Sequence, residues 1–283
     1  MSIALSRRTA LGRSGRGTRT AARRLWLLAL ALVIGFPAYV SVLSAFLPAQ
    51  DVARGVLLPH RLTLENFRTA LDSVPLGRQY AVSSAVVVVQ TLAQLVTSAL
   101  AAYALVFPRW RGRALAFALV VGTLAIPGES LVIPNYTLTS DLGLRDTLLG
   151  IVLPFLAAGY PVFLLRQAFL SLPREVWEAA RLDGCGDLRA LFLVILPMAR
   201  PQVTAATLWS ALSAWNGYFW PLLITDSPDK RTVQVGIAQL TSAESTSPAV
   251  LYAGLVLVLL PTLLLVTVGQ RFLVRSLAAG SGR

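Results

Sequence analysis

The chain has 283 residues, of which 55% are hydrophobic and only 13% charged, and its net charge at pH 7 is +12. Soluble domains carry about 25% charged residues, so the composition excludes an ordinary soluble domain and indicates a protein that crosses a membrane several times. The single cysteine, Cys185, excludes an intrachain disulfide. With His60 as the only histidine, a metal site built from several histidines or cysteines is excluded as well.

The amino-terminal segment, residues 1–24, carries seven arginines and no acidic residue. Its Gly, Ser and Thr content predicts a disordered basic tail held near anionic lipid head groups. The apolar run from Leu25 to Leu47 is about 35 Å long as a helix, enough to cross a bilayer core of about 30 Å. Because this run exceeds a signal-peptide core and no A-x-A site follows it, we interpret it as an uncleaved first span.

Five further apolar runs follow, and together the six predict an all-α polytopic membrane protein. The predicted transmembrane helices are residues 25–47, 80–107, 114–138, 147–170, 202–224 and 249–272. The largest external loops are then residues 48–78 and 226–248, and the first of them predicts an amphipathic helix with Leu64, Phe67 and Leu71 on one face. Pro127-Gly128-Glu129 predicts a break in the third span.

Positive charge is distributed unequally between the loops. Eighteen of the 25 Lys and Arg residues lie in residues 1–24, 108–113, 166–200 and 270–283, and seven lie in the predicted external segments. The positive-inside rule therefore places both termini, including the tail 273–283, and the 171–200 loop in the cytoplasm. Since the charge marks one side of a lipid bilayer, it does not indicate a nucleic-acid partner.

The 171–200 loop, between the fourth and fifth spans, is polar sequence between two apolar blocks, and it predicts two short helices. Pro173 opens the first, over 174–182, and Asp183-Gly184 ends it, because glycine readily adopts the left-handed conformation. Asp187 is the predicted N-cap of the second helix. The apolar stripe of that second helix would be Leu191, Phe192, Ile195 and Leu196.

Glu178-Ala179-Ala180, Asp183-Gly184 and Leu196-Pro197 resemble the cytoplasmic E-A-A-x-x-D-G loop of ABC importer membrane subunits. Cys185 stands where that family most often has a small residue such as alanine. The segment 215–222, WNGYFWPL, is similar to the carbohydrate-uptake branch, in particular to the smaller maltose-type permease. The resemblance covers nearly all of the chain beyond residue 25.

This resemblance implies a bacterial cell membrane and several partners: a second six-span permease subunit in a heterodimer, two ABC ATPase subunits and an extracytoplasmic solute-binding protein. The chain itself is predicted not to be an enzyme. Its only lysine, Lys230, follows Pro228-Asp229, so a Walker A loop is not possible. ATP and Mg²⁺ are therefore expected on the partner ATPases, and no cofactor is expected on this chain.

The resemblance assigns ATPase coupling to the loop. Its first helix would lie in a cleft of the ATPase, with Glu178 as the charged contact and Ala179 and Ala180 as a low surface that permits close approach. Asp183 and Gly184 would fix the angle between the two loop helices, and Pro197 marks the return to the membrane.

Four residues are candidates for the substrate path, namely Glu129, Trp215, Asn216 and Tyr218. Glu129 either faces a cavity or caps a helix near the external interface. Trp215 and Asn216 lie deep enough in the fifth span for a cavity, whereas Trp220 is expected in an interfacial belt. The expected substrate is a sugar, and a polyol or glycerol phosphate remains an alternative. A stand-alone secondary transporter is a less favoured alternative, because it would need ionisable groups inside the spans and the sequence supplies only Glu129 as a candidate.

Overall fold

The computed structural model describes residues 11–240 and 247–280, with side chains from 23 to 271 except 241–246. These residues contain no strand. The helices are α1 (Leu11–Phe46), α2 (Ala49–Ala53), α3 (Glu65–Ser73), α4 (Leu76–Val106), α5 (Arg113–Leu124), α6 (Val132–Asp141), α7 (Leu148–Val152), α8 (Gly159–Leu170), α9 (Arg174–Leu182), α10 (Asp187–Ala190), α11 (Leu196–Met198), α12 (Arg200–Trp215), α13 (Phe219–Ile224), α14 (Val233–Gln239) and α15 (Pro248–Gly280). Short 3-10 turns occupy Gly128–Leu131, Leu153–Phe155 and Pro228–Lys230, and a π turn occupies Leu191–Ile195.

Three of the described helices are long and apolar enough to cross a membrane, namely Arg23–Phe46 within α1, α4, and Pro248–Arg271 within α15. Three bent pairs pass the same test, with bends of 98°, 46° and 91°, and they are Arg113–Leu124 with Gly128–Asp141, Leu148–Phe155 with Gly159–Leu170, and Asp187–Met198 with Arg200–Trp215. Counting each pair as one span gives up to six. The predicted all-α class is confirmed for the described residues, while the number of spans stays a prediction.

The amino-terminal tail differs from its prediction. α1 begins at Leu11, so residues 11–24 are helical and not disordered, while residues 1–10 lie outside the described part of the chain. Arginine and alanine are good helix formers, and the basic segment is continuous with the apolar run that follows it. Helix formation therefore extends from the apolar run into the basic segment. At the other end, α15 continues through the predicted tail as far as Gly280.

The predicted fifth span, 202–224, is not one helix. α12 ends at Trp215 and α13 begins at Phe219. Pro221 is the third residue of α13, and a proline ring clashes with the carbonyl four residues earlier, here that of Gly217. Pro161 has the same position in α8, where the corresponding carbonyl belongs to Ala157. Each proline thus accounts for a break just before its helix.

The predicted amphipathic helix exists as α3, but it buries a different face. Asn66 and Ala70 are its buried residues, whereas Leu64 and Leu71 are exposed. The Asn66 amide donates to the carbonyls of Ala45 (3.0 Å) and Leu47 (2.7 Å). These carbonyls at the end of α1 lack partners within their own helix. Their need for a donor explains why a polar face of α3 turns inward.

Two loops, one after α6 and one after α13, are joined around Asp146, which has a φ of +56°. Its carboxylate accepts from the backbone N–H groups of Asp226 and Ser227, both at 3.0 Å, and from the Ser227 hydroxyl. The Lys230 ammonium nitrogen lies 3.1 Å from the same carboxylate. Burial raises the pKa of Asp146, but the hydrogen bonds from Ser227, Lys230 and Asp226 outweigh it and hold the pKa well below its usual range.

Candidate functional site

The first loop helix, α9, has the bounds that the sequence predicts, Arg174–Leu182, with Pro173 just before it. Gly184 follows with a φ of +78°. Its N–H donates to the Arg181 carbonyl (3.1 Å), and the Cys185 N–H donates to the Ala180 carbonyl (3.0 Å). These two bonds form a Schellman motif. A Cβ on Gly184 would meet nothing within 4 Å, so the backbone conformation alone calls for glycine.

The outer surface of α9 is uncovered in the isolated chain. Glu178 is 54% exposed, and its partner is Arg174 in the same helix at 3.4 Å. Ala179 is exposed and Ala180 half-buried. Leu182 is 89% exposed, although it is a large apolar residue. The helix therefore presents small and apolar side chains together with the exposed carboxylates of Glu175 and Glu178, which is suited to contact with another protein.

The inner side of α9 is attached to the end of α4. The Trp177 indole N–H donates to the Tyr103 hydroxyl (2.8 Å), and its ring stacks on Phe107 with centroids 5.6 Å apart. Arg174 donates to the Phe107 carbonyl (3.2 Å). Ala102 and Phe107 are fully or almost fully buried in the same cluster. Movement of α9 is therefore mechanically linked to α4.

Asp187 is not the N-cap that the sequence predicts. Gly186 occupies the N-cap position, and no side chain caps this helix. The Asp187 carboxylate instead accepts from the Tyr103 hydroxyl (2.9 Å) and from Arg181 (3.0 Å). A hydrogen bond to a guanidinium is stronger than a bond to a peptide N–H, which favours this orientation. Asp187 thereby connects both loop helices to α4.

The second loop helix runs from Asp187 to Met198 with a π turn at Leu191–Ile195. Of the predicted apolar stripe, Leu191 and Ile195 are fully buried, whereas Phe192 is 45% exposed. Pro197 cannot donate to the carbonyl four residues earlier, and the widened turn accommodates the missing bond. After Pro197 the chain bends by 91° into α12.

A cavity of about 320 Å³ lies between α4 and α12, and it is bordered by the break before α8 and by the break between α12 and α13. One break, before α8, contributes Ala157 and Ala158, and the other contributes Gly217 and Tyr218. Gln90 and Gln94, near the middle of the 31-residue helix α4, supply amides, and α12 supplies Trp209 and Ser213. Irregular backbone at membrane depth is tolerated where it lines a cavity, so the breaks and the cavity belong together.

Of the predicted path residues, the structure brings Tyr218 to this cavity. Trp215 is 4% exposed and packs against Tyr80, with ring centroids 5.9 Å apart, and it does not line the cavity. Asn216 ends α12 and is exposed, with the Gln234 amide at 3.5 Å. Glu129 is exposed in the 3-10 turn at the 98° bend, away from the cavity.

The expected belt position of Trp220 is wrong. This side chain is 6% exposed and its indole N–H donates to the Gly150 carbonyl (3.2 Å). The break before α13 turns the residue inward. Sequence reasoning also missed Gln90 and Gln94. Two amides one helical turn apart in an apolar run were the available signal, because polar groups inside a span usually face a cavity or a partner.

The family model for binding-protein-dependent transport system inner membrane components matches residues 94–279. The chain belongs to this family. It is therefore a permease component of the inner membrane, and the resemblance read from the loop motif is confirmed. Permease subunits of this kind are non-catalytic, bind no cofactor themselves, and work with a second permease, an ATPase and a binding protein.

Curated relatives cover most of the permease. An arabinooligosaccharides transport system permease protein, AraQ of Halalkalibacterium halodurans, is 32% identical over 269 residues, covering 90% of this chain and 95% of AraQ. An sn-glycerol-3-phosphate transport system permease protein, UgpE of Yersinia pestis, is 32% identical over 263 residues, covering 89% and 94%. The crystal structure of a bacterial ABC transporter that imports the acidic polysaccharide alginate includes a similar chain. That chain has a TM-score of 0.80 and 27% identity, with coverage of 92% of this chain and 97% of its own.

Proposed function

We propose that this permease is one half of the translocation path of an ATP-driven importer that takes up a sugar delivered by an extracytoplasmic binding protein. The proposal includes six spans, cytoplasmic termini, a second six-span permease subunit and two ATPase subunits. The relationship to AraQ and to the alginate importer supports the sugar. The one-sided arginine distribution supports the orientation.

The observation that carries the coupling role is the physical connection between α9 and the cavity. α9 is uncovered on its outer side, and on its inner side it is held through Trp177 and Tyr103 to α4. The same α4 supplies Gln90 and Gln94 to the cavity. A displacement of α9 by an ATPase would thus be passed along one continuous helix to the proposed substrate path.

Within this proposal each loop residue has a separate task. Glu178 pairs with a basic residue of the ATPase cleft, and Ala179 and Ala180 let the two surfaces approach closely. Asp183 and Gly184 close α9 and set the direction of the second loop helix. Pro197, beside the π turn, directs the chain back toward the membrane.

The relationship to UgpE supports a second candidate substrate, glycerol phosphate or a related polyol, carried by the same machinery. A stand-alone secondary transporter has less support. Glu129, the ionisable residue predicted inside a span, is exposed at a bend and does not line the cavity.

Crosslinking from Cys185 tests the proposed coupling. This cysteine follows Gly184 directly and is half-buried. In the complex assembled with its second permease and ATPase, single cysteines placed along the ATPase cleft should crosslink to Cys185, and ATP should change the yield. A Cys185→Ala variant that carries Ser73→Cys on α3 is the matched control and should give no crosslink. A complex that assembles but gives no crosslink at any cleft position would place α9 elsewhere.

A further inference from the structure

We infer that the cavity between the two helix breaks is a binding site for a neutral, polyhydroxylated solute, and not for a phosphate or a uronate. This inference rests on the proposed function, and it names the chemical class of substrate that this subunit contacts. It distinguishes a neutral from an anionic substrate. The relatives leave both open, since their names include a neutral oligosaccharide and two anions, glycerol 3-phosphate and an acidic polysaccharide.

The first reason is charge. Among the described residues that line the cavity, none carries a charged side chain. A buried phosphate or carboxylate needs a cation or several directed donors to offset the loss of its water. Arginine is the usual residue for such groups, and the chain has many arginines, but none of them lines this cavity.

The second reason is the supply of unused polar groups. The Gln90 amide, the Ser213 and Tyr218 hydroxyls and the Trp209 indole N–H make no hydrogen bond within the described part of the chain. Gln94 is 2% exposed and donates to the Phe155 carbonyl (2.8 Å), yet its Oε1 has no partner. Amides and hydroxyls both donate and accept. Sugar hydroxyls do the same, so they match this mixed set better than an acceptor-only anion does.

The third reason is the shape of the wall. The rings of Phe155, Trp209, Tyr218 and Phe219 border the cavity beside the polar groups. The C–H face of a sugar ring is apolar and packs on such rings, while its hydroxyls reach the amides. A volume of about 320 Å³ is near the lower end for ligand pockets, roughly 300–1,000 Å³. The site therefore suits a small solute or one end of a longer chain.

One feature of the cavity favours negative charge, but weakly. The amino end of α8 borders it at Ala157 and Ala158, and no side chain caps that helix. A helix amino terminus is equivalent to about half a positive charge, whereas a phosphate monoester carries about −1.5 to −2 at pH 7. The free N–H groups there are also adequate donors for a neutral hydroxyl.

The test measures protection of a cysteine in the cavity. Ser213→Cys is introduced together with Cys185→Ala, and the importer is assembled with its partners in lipid nanodiscs. The rate of alkylation by a small maleimide is measured with neutral mono- to trisaccharides and polyols, and at equal concentrations with glycerol 3-phosphate and galacturonate oligomers. We expect at least one neutral solute to slow alkylation and the anions to leave it unchanged.

Variants of the lining show whether protection comes from this site. Gln90→Leu and Tyr218→Phe each remove a group that can bond a hydroxyl, and roughly fivefold weaker protection is expected from either. The control is Val89→Leu. Val89 precedes Gln90 in α4, is 40% exposed and does not line the cavity. Using two variants keeps the test valid if one of them fails to assemble.

Stronger protection by an anion than by any neutral solute would overturn the inference. Absence of protection by the whole panel would overturn it too. Both outcomes are distinguishable from failure of the proposed function, because ATP hydrolysis is measured on the same complex and the Cys185 crosslink on a separate complex that retains this cysteine. A complex that couples to its ATPase but shows no protection retains the proposed function and loses this site.

Discussion

The Tyr103 hydroxyl donates to the Asp187 carboxylate across 2.9 Å, joining the end of α4 to the start of the second loop helix. The same hydroxyl accepts from Trp177 at 2.8 Å, so one phenol holds both helices of the loop. Tyr103 is 6% exposed. Asp187 is 58% exposed and keeps its contact with Arg181, so loss of the hydroxyl falls mainly on the half-buried Trp177 N–H, whose acceptor it is.

Tyr103→Phe should loosen the loop without unfolding the permease. An intramolecular hydrogen bond contributes about 0.5–1.5 kcal/mol, and here the half-buried Trp177 N–H loses its acceptor. We expect faster hydrogen exchange of the α9 amides and weaker coupling of ATP hydrolysis to transport. The control is Tyr160→Phe, since that hydroxyl makes no hydrogen bond within the described residues. Unchanged exchange in α9 would show that ring stacking alone holds the loop.

Gly184→Ala should strain the end of α9. The residue has a φ of +78°, and a left-handed conformation costs a residue with a Cβ about 1–2 kcal/mol. Gly186→Ala is a closely matched control, because Gly186 has a φ of −67° and open space around a Cβ. Transport measured in cells at equal expression should fall for the first variant and stay normal for the second. Equal transport activity of the two variants would show that coupling does not depend on the left-handed conformation of Gly184.

Glu178→Arg should abolish uptake while the protein remains in the membrane. The Arg174–Glu178 pair is exposed, and pairs of this kind contribute about 0–1 kcal/mol, so folding should barely change. Reversing a charge at a docked interface costs more, and a loss of about tenfold or greater is expected in ATPase binding. Affinity for the purified ATPase is the measurement. If Glu175→Arg, one turn earlier, were equally damaging, the effect would be one of general loop charge.

Asp146 should make permease stability depend on acid. Its pKa lies below the unfolded value of about 3.9, so its stabilisation is complete above that value and is lost as pH falls through the folded pKa. Asp146→Asn should lower the thermal unfolding temperature at neutral pH and flatten its decline in acid. Asp141→Asn, an exposed site at the end of α6, should change neither. A wild-type profile for Asp146→Asn would contradict the role of the carboxylate.

Local sequence signals predicted the bounds of the first loop helix correctly, whereas contacts between residues distant in sequence were not predicted. Pro173 and Gly184 fix the ends of α9 through the chain itself, and the bounds agree with the sequence prediction. The role of Asp187 depended on Tyr103, which is distant in sequence, and could not be read from capping preferences. The break at 216–218 follows from Pro221, but hydropathy alone did not show it, because apolar residues lie on both sides of the break. The cavity role of Gln90 and Gln94 depends on the two helix breaks that lie beside them in the fold, and the positions of those breaks relative to α4 could not be predicted from the sequence.

The hydrogen bonds and ion pairs around Asp146 limit how the two loops that they join can move apart. The loop that follows α6 and the loop that follows α13 are locked by the Asp146 contacts and by the Arg145–Asp226 pair at 3.0 Å. Parting these loops would break several bonds at once, so they should travel as a single rigid body. We therefore expect alternating access to arise from rocking of the whole subunit against its neighbours, with this lock shut throughout the cycle.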